Sequence, residues 1–198
     1  EEDADADSDP ATSEGIFVVD RDAVSSGPVA VGDRVSVTGT VVEFNGLTEL
    51  TAITALTKHA SGVALPAAVA VALPAANATA LERYEGMRVT FAQTLTVSGT
   101  RNLGRFGELV LTSGGRLHTP TNVLDVNDHP ASGTASTGTS NKAAVDAFQA
   151  SNDLRRIVLD DASSAPNPDP TPYLNAQQTR RVGGTVTDAV ASNPPNQT

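Results

Sequence analysis

The segment from Val29 to Phe44, VAVGDRVSVTGTVVEF, alternates apolar and polar residues from a Gly-Asp turn onward. This period of two is typical of a β-strand with one buried face. The dipeptide Asn45-Gly46 follows, and it favours a tight hairpin turn before the next strand-like run, GLTELTAITALT. Gly39 is the predicted bend or bulge. The sequence therefore predicts a curved β-hairpin.

A similar unit recurs along the chain. Residues 84–117 repeat the alternation around Met87, Val89 and Phe91, with Gly-containing turns, and RRVGGTVTDAV at 180–190 echoes VGDRVSVTGTV. Small and β-branched residues dominate and aromatic residues make up 4%, which suits pleated surfaces. We predict an all-β fold with two tandem OB-fold-like barrels and a long polar insertion in the second barrel.

These patterns divide the chain into segments. We expect an acidic N-terminal segment at 1–22, a first OB-like module at 23–78 and a second at 79–198, with strands beginning near Val35 and Met87. The insertion at 126–153 is polar, with a short helix predicted at NKAAVDAFQAS after a Ser140/Asn141 cap. Because no Met opens the chain, we interpret it as a piece of a longer protein, with the last strand cut off after Val190.

Composition excludes several classes of site. The chain has no cysteine, so a disulfide, a thiolate zinc site and a Cys nucleophile are impossible. The longest apolar stretch, Val63 to Ala76, is interrupted by Pro66 and Pro74 and is shorter than the roughly 20 residues of a spanning helix. We therefore predict no membrane insertion.

Charge is distributed unevenly. The formal net charge is −10, and residues 1–22 alone carry −8, so the other residues together carry only −2. Between Glu82 and His118 the arginines outnumber the acids by two. Since nucleic-acid binding relies on Lys and Arg, the central region is the part of the chain suited to it.

Several quoted segments carry a family resemblance. They are DSDPATSEGIFV at 7–18, VGDRVSVTGTVVEFNGLTELT, LERYEGMRVTFAQTLTVS, NLGRFGELVLTSGGRLHTPTNV, IVLDDASSAPNPDPTPY and RVGGTVT, and they cover nearly the whole chain. In this order they resemble the region ahead of the catalytic domain in secreted bacterial nucleases of the ExeM/NucH type. The resemblance implies OB-fold-like modules preceding an endonuclease/exonuclease/phosphatase-type domain. It also implies an extracellular endonuclease as the parent protein.

The chemistry of such a nuclease domain is not expected in this chain. Metal-assisted phosphodiester hydrolysis needs carboxylate and Asn metal ligands together with a His–Asp pair. The chain has three histidines, His59, His118 and His129. NDHP at 127–130 resembles a closing Asp-His motif, but it lies in low-complexity sequence, and an ordinary loop is the alternative. We expect a fragment without catalytic activity.

The N-terminal acidic run resembles a calcium loop in its spacing. Its carboxylates fall at positions 1, 3, 5, 7 and 12 of an EF-hand-type loop: Asp3, Asp5, Asp7, Asp9 and Glu14. Ser8 stands where the sharp turn needs Gly, and no amphipathic helices flank the run. Two interpretations stay open: a simpler calcium-binding loop against the following strand, or a solvated acidic connector.

The predicted central hairpin, SGTRNLGRFGELVLTSGGR at 98–116, carries the kinds of group that bind nucleic acid in other proteins. OB-folds hold single strands with Arg on phosphate and aromatic rings stacked on bases. One hairpin supplies both kinds of group, namely Arg101, Asn102, Arg105, Phe106 and Arg116. The alternative is that Phe106 belongs to the core and the arginines only solubilise the turn.

Two classes of function follow from these alternatives. The first is an accessory module that binds DNA or RNA for a neighbouring catalytic domain. The second is a structural adaptor that spaces the neighbouring domains of the parent chain. An exposed face shared by Phe106 and the arginines would favour the accessory module.

Overall fold

The computed structural model describes residues 6–9, 11–20, 28–124, 141–163 and 165–173. Most of the regular structure is β. In chain order the strands and helices are β1 (Phe17–Val18), β2 (Arg34–Phe44), β3 (Leu47–Ala60), β4 (Val69–Val71), β5 (Val89–Phe91), β6 (Thr96–Gly99), α1 (Leu103–Phe106), β7 (Leu109–Thr112), α2 (Lys142–Leu154) and β8 (Arg156–Leu159). Two short 3₁₀ turns occupy Glu82–Tyr84 and Pro120–Asn122.

The chain forms two compact units. Within the described residues, the first unit comprises 6–9, 11–20, 28–71 and 81–90, and the second comprises 72–80, 91–124, 141–163 and 165–173. The module limits set from the sequence at 22/23 and 78/79 stay predictions.

The first unit is built on the β2–β3 hairpin. The two strands are antiparallel and run in register up to the pair Phe44 and Leu47, so Asn45-Gly46 alone makes the turn. Both turn residues have positive φ, 53° and 80°, as a two-residue hairpin loop requires. A register shift between Thr38 and Thr40 marks an irregularity at Gly39. The curved hairpin predicted from the sequence is therefore present.

The N-terminal segment packs against this unit through two glycines. β1 pairs in parallel with β3, placing Phe17 beside Glu49. Just before β1, the Ser13 hydroxyl donates to the carbonyl oxygen of Glu85. A Cβ on Gly15 would lie 2.3 Å from the carbonyl carbon of Gly86, and one on Gly86 would lie 2.7 Å from the nitrogen of Ile16. The two backbones approach this closely only because neither residue has a side chain.

The second unit has a three-stranded antiparallel sheet in the order β6-β7-β8. Its core is a cluster of buried leucines, Leu103, Leu109 and Leu111, with partly buried apolar residues packed around them. Helix α2 begins after Asn141, where the sequence predicts a helix, and leads directly into β8. The buried Asn152 of α2 donates to the carbonyl oxygen of His118, 2.9 Å away, which fixes the helix to the segment after β7.

The β-rich architecture is confirmed, and it includes the predicted helix α2, of 13 residues, and the additional helical turn α1. The strands of the described residues form sheets of three, two and three strands, and none of these sheets closes into a barrel. The second repeat starts its strand at Val89, two residues after the predicted Met87. Neither helix in this part of the chain has the length and hydrophobicity to cross a membrane.

Candidate nucleic-acid interface

The connection between β6 and β7 is the structural basis of the candidate site. It contains α1, a single helical turn in which the Phe106 amide donates to the Asn102 carbonyl at 2.8 Å. Leu103 is 7% exposed and anchors the turn in the leucine core. Gly107, with φ of 73°, ends the helix in the left-handed conformation. Because Leu103 points inward, the residues that follow it are carried on the outside of the turn.

This turn brings four of the five predicted binding residues together. Arg101, Asn102, Arg105 and Phe106 are all exposed, and Phe106 retains 39% of its accessible surface. The Arg105 guanidinium carbon lies 4.8 Å from the centre of the Phe106 ring, a cation–π distance. Phe106 is therefore not a core residue, and it shares an exposed turn with two arginines.

The fifth residue, Arg116, lies away from this turn. Arg116 follows β7, whereas α1 precedes this strand. The four residues of β7, at ~3.3 Å each, separate the two ends of the strand by on the order of 13 Å. Arg116 is exposed, and its carbonyl oxygen accepts from the Arg155 guanidinium at 3.3 Å. The sequence predicted a single cluster, and the structure places Arg116 at the opposite end of the strand.

Carboxylates also border the turn. Antiparallel pairing sets Leu159 of β8 opposite Leu109 of β7, so that Asp160 and Asp161 follow β8 next to Glu108. A Cβ on Gly107 would lie 2.3 Å from a carboxylate oxygen of Asp161, so this carboxylate packs directly against the end of α1. The run RRIVLDD was the sequence signal for these acids, but its pairing with β7 was needed to place them.

The electrostatic effect of these acids is visible in two ionisable groups. Partial burial raises the pKa of Asp160, and the negative charges of Asp161 and Glu108 raise it further, although the Ala162 amide opposes the shift. Burial, followed by the charges of Asp161 and Asp160, raises the pKa of Tyr173 to about 12. Tyr173 also packs on the leucine core. The turn thus carries cationic and aromatic side chains next to a group of carboxylates.

The proline-rich segment APNPDPTPY at 165–173 also supports the turn. The Asn167 amide donates to the carbonyl oxygen of Arg105 at 2.7 Å. This bond satisfies one of the carbonyls that the short helix α1 leaves without an intrahelical partner. The backbone that carries Arg105 and Phe106 is consequently held both by the core and by residues of the later segment.

In the acidic N-terminal run, the described carboxylates of Asp7 and Glu14 accept hydrogen bonds from groups of the same run. Asp7 accepts from the Asp9 amide at 2.6 Å and from the Thr12 hydroxyl at 3.2 Å, and Glu14 accepts from the Asp7 amide at 3.3 Å. The other two predicted ligands, Asp3 and Asp5, lie outside the described residues. Within the ranges that the structure describes, no three Asp, Glu or His side chains are grouped to hold a metal ion. Calcium binding stays a prediction.

The NDHP segment at 127–130 and the repeat at 180–190 also lie outside the described residues. Comparison with family models, with curated proteins and with solved structures finds no match for this chain.

Proposed function

We propose that this chain is a non-catalytic accessory region of a secreted bacterial nuclease and that its β6–β7 turn binds single-stranded DNA or RNA. One observation carries the proposal: Phe106 is exposed with the Arg105 guanidinium 4.8 Å from its ring, on a turn that also exposes Arg101. Stacking on an aromatic ring contributes about 1–3 kcal/mol per base, and it tolerates any base because every base has a π-face.

The acids around the turn limit the affinity that this proposal predicts. Glu108, Asp160 and Asp161 lie beside the turn, and residues 1–22 carry a charge of −8. Negative groups repel the phosphate backbone and weaken association at low salt. We therefore expect weak, salt-sensitive binding in which the nucleic acid contacts the Arg105–Phe106 side of the turn.

The proposal includes an OB-like architecture for the two predicted modules, 23–78 and 79–198, and an extracellular location for the parent endonuclease. The curved β2–β3 hairpin and the short antiparallel sheet β6-β7-β8 support the first of these. The resemblance of segments such as NLGRFGELVLTSGGRLHTPTNV and IVLDDASSAPNPDPTPY to secreted bacterial nucleases supports the second. Calcium, if it is a ligand, is expected at the acidic run from Asp3 to Glu14.

The test is fluorescence anisotropy of a labelled single strand of roughly 12 nucleotides, a length within the range of one OB-type site. The intact chain should bind at ~50 mM salt and bind more weakly at ~200 mM, with a log–log slope of about 0.7 per phosphate contact. Phe106→Ala should weaken binding by about 5- to 150-fold, as expected for one stacked base. Arg101→Ala/Arg105→Ala should flatten the slope by ~1.4 if both contact phosphate.

The matched control is Arg34→Ala, which removes an exposed arginine from β2 in the other unit. It should leave binding unchanged. Deleting residues 1–9, which precede the contacts of Ser13, Gly15 and β1, should tighten binding, because the deletion removes a charge of −6. If neither the intact chain nor the truncated chain binds at ~50 mM salt, where phosphate contacts are strongest, the nucleic-acid role is wrong.

A second function, a structural adaptor between domains, is favoured by the apolar surface of the first unit. Large apolar side chains stand exposed there, including Val41 at 61% and Phe44 at 56%. A groove of about 370 Å³ lies in the same unit and is lined by Val18, Asp20, Val29, Val35, Val37 and Leu56. Exposed apolar surface of this kind is typical of contacts with another protein domain. Failure of every binding assay above, with the fold intact, would favour this function.

A further inference from the structure

A carboxylate lies deep in a second apolar groove of the first unit. This groove, called the Glu49 groove below, has a volume of about 220 Å³ and is lined by Val19, Asp20, Val42, Phe44, Glu49, Thr51, Ala52 and Ile53. Glu49 is only 8% exposed, whereas Val42 and Phe44 beside it are exposed. The acid is therefore deeper in the groove than the apolar residues around it.

Strand pairing explains how the acid comes to lie there. Glu49 belongs to β3, the central strand of the sheet, and stands opposite Phe17 of β1 and Val42 of β2. Directly paired residues place their side chains on the same face of a sheet, with Cβ atoms about 4.5–5.5 Å apart. The carboxylate is thus flanked by an aromatic and a β-branched side chain, and Glu is itself depleted in strands.

Glu49 receives no hydrogen bond from the groups next to it. The hydroxyl of Thr48 donates to Glu43 Oε2 at 3.0 Å. The hydroxyl of Thr51 donates to the carbonyl oxygen of Thr40 at 3.4 Å. In the part of the chain that the structure describes, no donor or basic side chain pairs with the Glu49 carboxylate. Burial of an ionised carboxylate without a donor or a cation is costly, so a cation in the groove would remove that cost.

The surroundings of Glu49 restrict the kind of cation. Calcium takes six to eight oxygen ligands, and no three Asp, Glu or His side chains are grouped for a metal within the described ranges. Asp20, the other acid of the lining, is engaged in an interaction of its own. The volume is below the roughly 300–1,000 Å³ of pockets for drug-sized ligands. One positively charged group on an apolar stem fits this combination of size, charge and apolar walls.

We infer that the Glu49 groove binds an arginine side chain presented between apolar residues of another protein domain. A guanidinium offers its N–H groups as a planar fork that matches a carboxylate, and its flat face packs on aromatic rings. Glu49 supplies the carboxylate, and Phe44 supplies an exposed ring in the same lining. This contact is independent of the nucleic-acid function, and it gives the adaptor function a defined partner chemistry.

The test is an NMR titration of the isotope-labelled intact chain with an acetylated, amidated pentapeptide that has one arginine between valines. Addition up to ~10 mM, a range that detects weak contacts, should shift the amide signals of the groove residues. A peptide with citrulline keeps the shape of arginine without its charge, and it should bind at least about 10-fold more weakly. A lysine peptide should bind with an affinity between these two, because its ammonium lacks the planar fork.

Two variants assign the contact to the groove. Glu49→Gln keeps the size of the side chain and removes its charge, so it should abolish the difference between the arginine and citrulline peptides. Phe44→Ala should weaken the arginine peptide by about 2- to 5-fold, as expected for one exposed cation–π contact. Circular dichroism checks that each variant is folded, and Phe44→Ala decides the outcome if Glu49→Gln is not.

The matched control is Glu43→Gln, which makes the same change of charge on β2. Glu43 is paired with Thr48, so its side chain lies on the face of the sheet opposite to that of Glu49. This variant should keep the preference for the arginine peptide.

Three results would overturn the inference. The first is an arginine peptide that fails to bind at ~10 mM or binds no better than the citrulline peptide. The second is equal binding of the arginine and lysine peptides, which would rule out recognition of a guanidinium. The third is a preference that survives in Glu49→Gln or disappears in Glu43→Gln. None of these results bears on the β6–β7 turn, because the titrations contain no nucleic acid.

Discussion

The two hairpins of this chain connect their antiparallel strands in different ways: the first by a short turn and the second by a longer segment. The β2–β3 hairpin has strands of 11 and 14 residues and turns through Asn45-Gly46 alone. The β6–β7 hairpin has strands of four residues, joined by residues 100–108, which include α1. Most residues of the first hairpin lie in its paired strands, whereas the second hairpin has more residues in its connection than in either strand.

The difference shows what each hairpin can do. A two-residue turn has no room for side chains beyond those that form it, so the first hairpin offers its strand faces as a surface. The longer connection raises Arg105 and Phe106 out of the sheet, but it depends on Leu103 and on the later segment through Asn167 for its shape. The exposed position of Arg105 and Phe106 therefore depends on the buried contacts of the same hairpin.

The largest effect that sharpens this comparison comes from the leucine core. Leu109 is 3% exposed, and Leu109→Ala should reduce the free energy of unfolding by about 2–5 kcal/mol, because it removes buried methyl groups and leaves a cavity. Phe44→Ala, beside the turn of the first hairpin, removes a side chain that is 56% exposed and should cost far less. Urea unfolding followed by circular dichroism measures both. Equal losses in the free energy of unfolding for Leu109→Ala and Phe44→Ala would contradict the view that only the second hairpin depends on a buried core.

The next effect concerns the end of α1. Gly107→Ala places a Cβ at positive φ and against the Asp161 carboxylate, so we expect a loss of roughly 1–3 kcal/mol. Gly104→Ala is the matched control, since nothing lies within 4 Å of its Cβ position and Ala favours the helix by ~0.5–1 kcal/mol. Thermal unfolding should move in opposite directions for the two variants. A neutral Gly107→Ala would show that the connection adapts to the added side chain.

A smaller effect tests the open end of the first hairpin. Asp33 accepts from Lys58 Nζ at 2.7 Å and from the Ala30 amide at 2.9 Å. Hydrogen bonds from Lys58 first, then from Ser61 and Ala30, lower the pKa of Asp33 to about 2. A lowered pKa stabilises the fold above the ordinary value of 3.8, and this stability is lost as the pH falls toward 2.

Asp33→Asn should therefore lower the melting temperature at pH 7, and the difference from the natural chain should disappear near pH 2. Asp146→Asn, which breaks an exposed pair with Lys142 one helical turn away, should cost only about 0.3–0.5 kcal/mol. A difference that stays constant from pH 7 to pH 2 would contradict the role assigned to the Asp33 carboxylate.

The smallest effect has the opposite sign and concerns the closed end of the same hairpin. Burial raises the pKa of Glu82, and the neighbouring carboxylates of Glu85 and Glu43 raise it further. The ionised form is disfavoured in the folded chain, so stability falls as the pH rises from 4.5 through the raised pKa. Glu82→Gln should melt at a higher temperature than the natural chain at pH 7 and lose this advantage near pH 4. An advantage that is independent of pH would rule out ionisation as its cause.

The sequence predicted those parts of the fold that depend on neighbouring residues. The alternation from Val29 to Phe44 and the Asn45-Gly46 turn define the first hairpin locally, and helix α2 begins where the Asn141 signal places it. The helical turn α1 was not predicted, because NLGRF contains Gly104, is followed by Gly107 and shows no helical periodicity. The buried side chain of Leu103 stabilises this turn.

The candidate site was predictable only in part, for the same reason. Arg101, Asn102, Arg105 and Phe106 are close in sequence and are brought together by one connection. Arg116 is also close in sequence, but a strand separates it from them. The acids Asp160 and Asp161 are distant in sequence and reach Glu108 through the pairing of β8 with β7. Strand pairing between distant segments is not encoded in local patterns.

The contact between Gly15 and Gly86 has a consequence for how this sequence can diverge. A side chain at either position would overlap the backbone of the other, so enlarging one glycine cannot be compensated by the other, which is already the smallest residue. The two positions are therefore constrained jointly rather than by exchange of volume. Divergent relatives that keep this packing should retain the pair together, even where the surrounding strands have changed beyond recognition. Loss of both glycines in the same lineage would mark the point at which the N-terminal segment took another path.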